Sequence, residues 1–408
     1  MNKDVPLVST WAWYPGFEEV VDLFNNTHDE VQVCWTNAGS GTAEYDKFST
    51  TIEAGSGAPD VIMLENEVVP SFVIRDSLVD LSEYGANDVA ENYGAGAWKD
   101  VSIGDGVYAI PVDGGPIGMM YRADIFDEYG IAVPTTWEEF AAAGAQLKAA
   151  GFPGYFTNFP TNGNGYLQAL LQQAGTEAFS WDVATPTELG VDIDSESTRR
   201  VLNYWDGLVT DGVVATDDSF TTDWNTQLAT GGYAVNIAAA WGPGYLSGLE
   251  GLDEDADWKA APIPQWTAAD DIQVNYGGST FAVTTQSKQP ELAAVVAKEI
   301  FGTEEAWKIG IEKATLFPLW LPILNSDYFA AFETPFFGGQ ESNAEVFIPA
   351  SNGYAGMAYS PFQSTAYEKV TDRLYDAMVE KKTTVDEAAG LFQQDIVDYA
   401  TAQGFIVE

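Results

Sequence analysis

The first 65 residues of this 408-residue chain predict a doubly wound α/β fold. Three short apolar runs with period-two alternation are separated by helical stripes, which is the pattern of βαβ units and a parallel sheet. The chain shows no internal repeat, low-complexity tract or coiled-coil heptad that would indicate another architecture. Its length corresponds to two or three domains.

The opening strands are predicted at Val5–Thr10, Val31–Thr36 and Asp60–Leu64. Apolar residues at helical spacing predict a helix between each pair of strands. The first stripe is Phe17, Val20, Val21 and Phe24, and the second is Tyr45, Phe48 and Ile52. Later elements are a strand at Val107–Val112 and another at Ser279–Val283. Helices are expected after Pro290 and after two capping boxes, Thr136–Glu139 and Thr384–Glu387.

Ligands of doubly wound sheets bind beyond the carboxyl ends of the strands. The residues that follow the three opening strands are therefore the first candidates for a binding site. They are Trp11 to Tyr14, Asn37 to Thr42, and Glu65 to Glu67. Packing of the tryptophans at the strand end, with solvated glutamates, is an equally open interpretation.

The charge balance excludes several classes of ligand. Seventeen Lys and Arg against 61 Asp and Glu give a net charge of −44, which repels nucleic acid and anionic lipid. Thirteen Trp, 19 Tyr and 22 Phe beside so few cations suit neutral ligands with apolar faces. The five arginines lie outside the predicted strand-end loops, which disfavours anionic ligands.

Cofactor and metal chemistry is not expected. The single Cys has no second Cys with which to form an internal disulfide. One Cys and one His could supply a zinc site only if carboxylates were every other ligand. No Walker loop, nucleophile elbow or complete dinucleotide fingerprint occurs. The sequence has no membrane-length apolar stretch, and polar residues follow Met1 directly, so the protein is either cytoplasmic or an export signal has been removed.

From Pro111 the chain reads PVDGGPIGMMYRADIFDE and then YGIAVPTTWEEF, which resembles the signature of extracellular solute-binding proteins of family 1, the maltose-binding group of ABC importers. Four further blocks resemble the family in the same order. They are AGSGAPDVIMLENEVVPSFV, GGYAVNIAAAWGPGYLSG, AAPIPQW with NYGGSTFAV, and TTVDEAAGLF. Arg122 departs from the pattern, which has Asn or Asp there. The resemblance covers nearly the whole chain.

This resemblance implies a periplasmic-binding-protein type II-like fold, in which two doubly wound α/β lobes are joined by hinge crossings and enclose the ligand cleft. The N-terminal lobe is expected to comprise residues 1–112 and 278–335, and the C-terminal lobe residues 113–277 and 336–408. Crossings are expected near Asp113, near Gly278 and around Thr334–Gly339.

Sugar sites combine planar polar groups with aromatic faces. The resemblance places a stacking ring at Trp241, the acid of the first crossing at Asp113 and a carboxylate at Glu67. Trp241 could instead only cap the core of its lobe. Weaker candidates for ligand contact are Trp13, Asn37, Glu65, Asn164, Asn275, Tyr276 and Tyr359, with Asn162, Phe317 and Trp320 behind them.

The function that follows is capture of a neutral oligosaccharide by the extracellular, monomeric binding component of an ABC importer, which delivers it to the permease subunits. The family's Gram-positive members are lipid-anchored through a Cys upstream of the domain, whereas Cys34 lies inside a predicted strand. A glycoside hydrolase with two carboxylates and a peptide binder on the same fold are the alternatives. The sequence does not identify the sugar.

Overall fold

The computed structural model describes residues 5–162, 165–332 and 335–408. The strands are β1 (Leu7–Trp11), β2 (Gln32–Thr36), β3 (Val61–Glu65), β4 (Ser102–Ile103), β5 (Gly106–Val107), β6 (Ile110–Arg122), β7 (Thr157–Asn158), β8 (Phe179–Ser180), β9 (Glu188–Val191), β10 (Val214–Ala215), β11 (Val235–Ala239), β12 (Trp258–Pro262), β13 (Asn275–Val283) and β14 (Ile406–Val407). The α-helices are α1 (Phe17–Thr27), α2 (Thr42–Ala54), α3 (Val69–Val73), α4 (Ala95–Asp100), α5 (Ala123–Tyr129), α6 (Trp137–Ala149), α7 (Gly165–Gln173), α8 (Glu196–Thr210), α9 (Thr222–Ala229), α10 (Gly242–Ser247), α11 (Pro290–Glu299), α12 (Glu304–Ala314), α13 (Leu321–Leu324), α14 (Asp327–Ala330), α15 (Ile348–Gly353), α16 (Gln363–Leu374) and α17 (Val385–Ala402).

The opening βαβ units are confirmed. Strand β1 pairs in parallel with β2 on one side and with β3 on the other. The predicted apolar face of α1 is fully buried, and Phe48 on α2 has no exposed surface. Burial of these stripes against the sheet is what holds the helices in place, because short helices are marginal on their own in water.

Two long antiparallel strands connect the halves of the molecule. The main sheet has the order β11-β6-β13-β3-β1-β2, and β12 also pairs with β6. The first part of β6 pairs with β13, and its last part, Ile117–Arg122, pairs with β11 and β12. The fold is therefore the two-lobed α/β arrangement that the resemblance implies, with β6 and β13 passing between the lobes.

The predicted strand Val107–Val112 is wrong in extent, because Val107 ends β5 while β6 begins at Ile110 and continues to Arg122. Gly115 lies inside β6, at a position where only glycine fits because a Cβ would collide with the Tyr276 carbonyl of β13. Close approach of two backbones, not a turn, explains this glycine.

A third segment runs beside the other two crossings. The Gly114 amide donates to the Phe317 carbonyl, and the Leu319 amide donates to the Val112 carbonyl, both at 2.9 Å. This contact lies upstream of Thr334–Gly339, where the third crossing is expected. The exact lobe boundaries stay predictions.

The buried apolar side chains of the described residues form two clusters. One surrounds β1, β3 and β13 together with α1, α11 and α12, and the other lies among α6, α7, α8, α17 and β11. Alternate residues of β6 contribute to both, since Met119 belongs to the second cluster and Met120 to the first.

Helix caps agree with the sequence in one case and partly in another. Thr384 and Glu387 form a complete capping box at the start of α17. At α6 the Thr136 side chain accepts from the Glu139 amide, but the Glu139 carboxylate accepts from Thr135 instead of from the capping residue. Within the described part of the chain, no helix combines the length and apolarity needed to cross a membrane.

Candidate functional site

A cleft of about 460 Å³ opens between the two halves of the molecule, next to the crossing strands. Its size falls in the range of small-molecule sites. Aromatic and carboxylic side chains dominate its walls, and none of its described lining residues is Lys, Arg or His. The lining residues are Trp13, Tyr14, Pro15, Met63, Glu65, Glu67, Asp113, Phe220, Trp241, Tyr276, Gly277, Gly278, Ser279, Ala314, Leu316 and Tyr367.

Two of the carboxylates directly follow β3 and are held by tyrosines. The Tyr45 hydroxyl donates to Glu65 Oε2 at 2.7 Å, and the Tyr367 hydroxyl donates to Glu67 Oε2 at 2.9 Å. Burial raises the pKa of both carboxyls, and the nearby charge of Glu65 helps to raise the pKa of Glu67 to about 8. Near neutral pH, Glu67 can therefore donate as well as accept hydrogen bonds.

The third carboxylate stands at the first crossing. The Ser279 hydroxyl donates to Asp113 Oδ1, and the Tyr14 hydroxyl is hydrogen-bonded to Ser279. Burial raises the pKa of Asp113 to about 6, and the Ser279 hydrogen bond opposes that shift. A chain of three hydrogen-bonding groups thus orients Asp113 within the cleft.

Trp241 immediately precedes α10, and its side chain contacts Tyr276 in the second crossing. Its indole nitrogen donates to the Tyr276 carbonyl at 3.1 Å, and the two rings meet edge-on with centroids 5.4 Å apart. Phe220 lies beside Trp241 with a centroid distance of 6.3 Å. This half of the cleft therefore presents a continuous aromatic wall.

The structure brings together six of the ten predicted site residues in this cleft. They are Trp13, Glu65, Glu67, Asp113, Trp241 and Tyr276. Three of the other four do not line it. Asn37 is exposed and its side chain accepts from the Gly39 amide, while the Asn275 side chain accepts from the Gly115 amide at 2.7 Å. Tyr359 is buried next to Tyr354, and Asn164 lies outside the described residues.

The weaker candidates serve the backbone or the core. The Asn162 amide exchanges two hydrogen bonds with the backbone of Ser219. Phe317 is buried beside the first crossing, and Trp320 bridges to Tyr93. These contacts hold loops and crossings in position.

Sequence reasoning missed Phe220, Ser279 and Tyr367. Tyr367 lies on α16, 300 residues from its partner Glu67, so no local pattern joins them. Ser279 begins the predicted strand that enters the second crossing, and its position next to Gly278 was the one available signal. Phe220 sits in a loop whose Asp/Ser/Thr composition reads as ordinary surface.

The described arginines are engaged away from the cleft. Arg122 bonds Asp124 and Asp253, Arg199 bonds Asp194, and Arg373 bonds Asp395. Arg200 covers the ring of Trp266, and Arg75 bonds Ser49. The cleft therefore lacks a guanidinium fork for an anionic ligand.

Two known proteins are similar to this chain, one over part of its length and one over nearly all of it. An uncharacterized lipoprotein in the oleD 5' region of Streptomyces antibioticus is 30% identical over 149 residues, 34% of this chain and 33% of that protein, so the chain spans about a third of this relative's length. The lactose-binding protein of Rhizobium radiobacter is 24% identical over 93% of this chain and 90% of its own.

A solved structure is similar over the whole molecule. It is the ABC transporter associated binding protein of B. animalis subsp. lactis Bl-04 in complex with β-1,6-galactobiose, with a TM-score of 0.80 and 25% identity, covering 99% of this chain and 100% of that chain. The family model of bacterial extracellular solute-binding proteins matches residues 11–307. The chain belongs to the bacterial extracellular solute-binding protein family.

Proposed function

We propose that this protein is the substrate-binding component of an ABC importer and captures a neutral oligosaccharide between its two lobes. The observation that carries the proposal is the composition of the cleft. Six aromatic side chains and three carboxyls line it, and no cationic side chain stands among its described lining residues. Hydroxyl-rich rings with apolar faces are the ligands that such a surface recognises.

Each carboxyl has one oxygen fixed by a neighbouring hydroxyl. Glu65 accepts a hydrogen bond from Tyr45, and Glu67 accepts one from Tyr367. Asp113 accepts one from Ser279. A fixed carboxyl presents its second oxygen in a defined direction, which suits sugar hydroxyls that donate and accept. The lactose-binding relative and the galactobiose complex support a sugar as the ligand.

We also propose that the protein works as a monomer outside the cell, lipid-anchored to a Gram-positive membrane, and hands the sugar to permease subunits. The extracellular family and the lipoprotein relative from Streptomyces support this location. In this proposal the protein binds the sugar and leaves it chemically unchanged, and it is not an enzyme.

A thermal-shift screen tests the function. Lactose, β-1,6-galactobiose, maltose and maltotriose are each added in large excess, and a bound sugar raises the melting temperature by mass action. Chromatography of the same samples follows the sugar over hours. A shift with intact sugar is expected. Cleavage of the sugar would identify a glycoside hydrolase, and a shift with peptides alone would identify a peptide binder.

Trp241→Ala is the matched control variant for that screen. It should retain its fold because Trp241 is only partly buried, and it should lose most of the ligand-dependent shift. A shift that survives undiminished in this variant would mean that Trp241 does not contact the bound sugar.

A further inference from the structure

The loop between β10 and α9 is clamped by two asparagine side chains. Asn158 exchanges two hydrogen bonds with the backbone of Asp217, at 2.7 and 2.9 Å. Asn162 exchanges two with the backbone of Ser219, at 3.0 and 3.1 Å. Four side-chain to backbone hydrogen bonds therefore fix the chain just before Phe220.

Phe220 itself adopts an unfavourable conformation for its residue type. Its φ is +66°, in the left-handed region that bulky residues avoid. The residue is 46% exposed, among the most exposed large apolar residues that the structure describes. A bulky residue held in this region by surrounding contacts points to a functional role.

The Phe220 ring lies at the rim of the aromatic wall. Trp224 and Tyr245 support it with centroid distances of 5.3 and 5.5 Å, and Tyr245 meets it nearly perpendicularly. The ring of Trp241 follows at 6.3 Å with an angle of 34° between the ring planes. Because Trp224 and Tyr245 pack against the ring while nearly half of the residue's surface stays exposed, Phe220 can offer apolar surface to a molecule in the cleft.

We propose that Phe220 is a second stacking platform beside Trp241 and sets a preference for longer sugars. This inference rests on the proposed function. A first sugar ring on Trp241 leaves the neighbouring unit of the same chain next to Phe220. Each added sugar ring that covers this surface buries more apolar area and gains affinity.

The test separates the ring from the backbone that presents it. Phe220→Asn removes the ring and introduces a residue that tolerates the left-handed region, so ligand-free melting should stay equal or rise. Phe220→Tyr keeps the platform. Tyr155→Ala is the matched control, because Tyr155 is an aromatic residue with 41% exposure that does not line the cleft.

Calorimetry then measures affinity along two sugar series, glucose to maltotriose and galactose with β-1,6-galactobiose. For the longest sugar that binds, Phe220→Asn should lose about tenfold in affinity, equivalent to ~1.4 kcal/mol. The corresponding monosaccharide should lose little, so the gain from added units shrinks. Phe220→Tyr and Tyr155→Ala should keep the parent's length dependence.

The outcomes are distinct. If Phe220→Asn folds and keeps the parent's affinity ratio between long and short sugars, the platform is wrong and the proposed function stands. If no member of either series binds the parent protein, the proposed function fails for these sugars and the platform fails with it.

Discussion

The carboxyl of Glu67 should make the stability of this protein depend on pH. Burial, with the charge of Glu65, raises its pKa from 4.5 to about 8. The native state therefore binds this proton more tightly than the unfolded chain does. The stabilisation is complete below pH 4.5 and is lost as the pH rises toward 8.

Glu67→Gln removes this titration and keeps an oxygen that can accept from Tyr367. Between pH 4.5 and 8 the native state keeps the Glu67 carboxyl protonated while the unfolded chain ionises it, so the stability falls by about 1.4 kcal/mol for each pH unit, or roughly 3 kcal/mol at pH 7 as an upper bound. An unfolding entropy of roughly 2.1 cal/mol/K per residue converts this to a melting difference of about 3 to 4 °C for 408 residues.

The assay is thermal unfolding of the parent and of Glu67→Gln at pH 4.5, 7 and 8.5. The two proteins should melt together at pH 4.5, and the variant should melt higher as the pH rises. Glu53→Gln on the exposed side of α2 is the control and should follow the parent throughout. A difference between parent and Glu67→Gln that is constant over this range, or that shrinks with rising pH, would refute the reasoning.

Three further predictions concern binding. Trp241→Ala should cost ~2 kcal/mol or more of binding free energy, which is at least about thirtyfold in affinity. Trp241→Phe should recover part of this loss. Normal affinity in a folded Trp241→Ala would make Trp241 a core residue only. Small-angle scattering should show a smaller radius of gyration with saturating sugar, since the cleft excludes water only when both walls meet, and an unchanged radius would count against hinge closure. Affinity for a neutral sugar should barely change between low and high salt, because screening acts between charges; a steep loss would instead indicate a cationic ligand attracted by the net charge of −44.

The local parts of the fold could be predicted from the sequence. The βαβ opening follows from alternating periods, and the capping box at Thr384 follows from residue spacing alone. The extent of β6 could not be predicted, since Gly115 is required by the Tyr276 carbonyl of another strand. A sequence pattern cannot distinguish a glycine in a turn from one beside a neighbouring backbone.

The site was predictable where side chains follow a strand directly or match the family's motif. Glu65, Glu67 and Trp13 lie in the cleft because strand ends converge there. Asn37 also follows a strand, but its side chain accepts from the Gly39 amide. Asn275 begins β13 at the second crossing, and its side chain accepts from the Gly115 amide. Such local competition for hydrogen bonds depends on exact geometry, and composition does not reveal it.

The pairing of β13 with β3 also affects when the protein can fold during synthesis. Thr280 donates to the Leu64 carbonyl across 216 residues of sequence. A ribosome needs roughly 10 to 40 s to add that much chain at ~5–20 residues per second. Until β13 emerges, β3 has an unpaired edge and the nascent chain cannot complete its first lobe. This delay leaves time for secretion of the chain before it reaches its native state, which suits a member of an extracellular family.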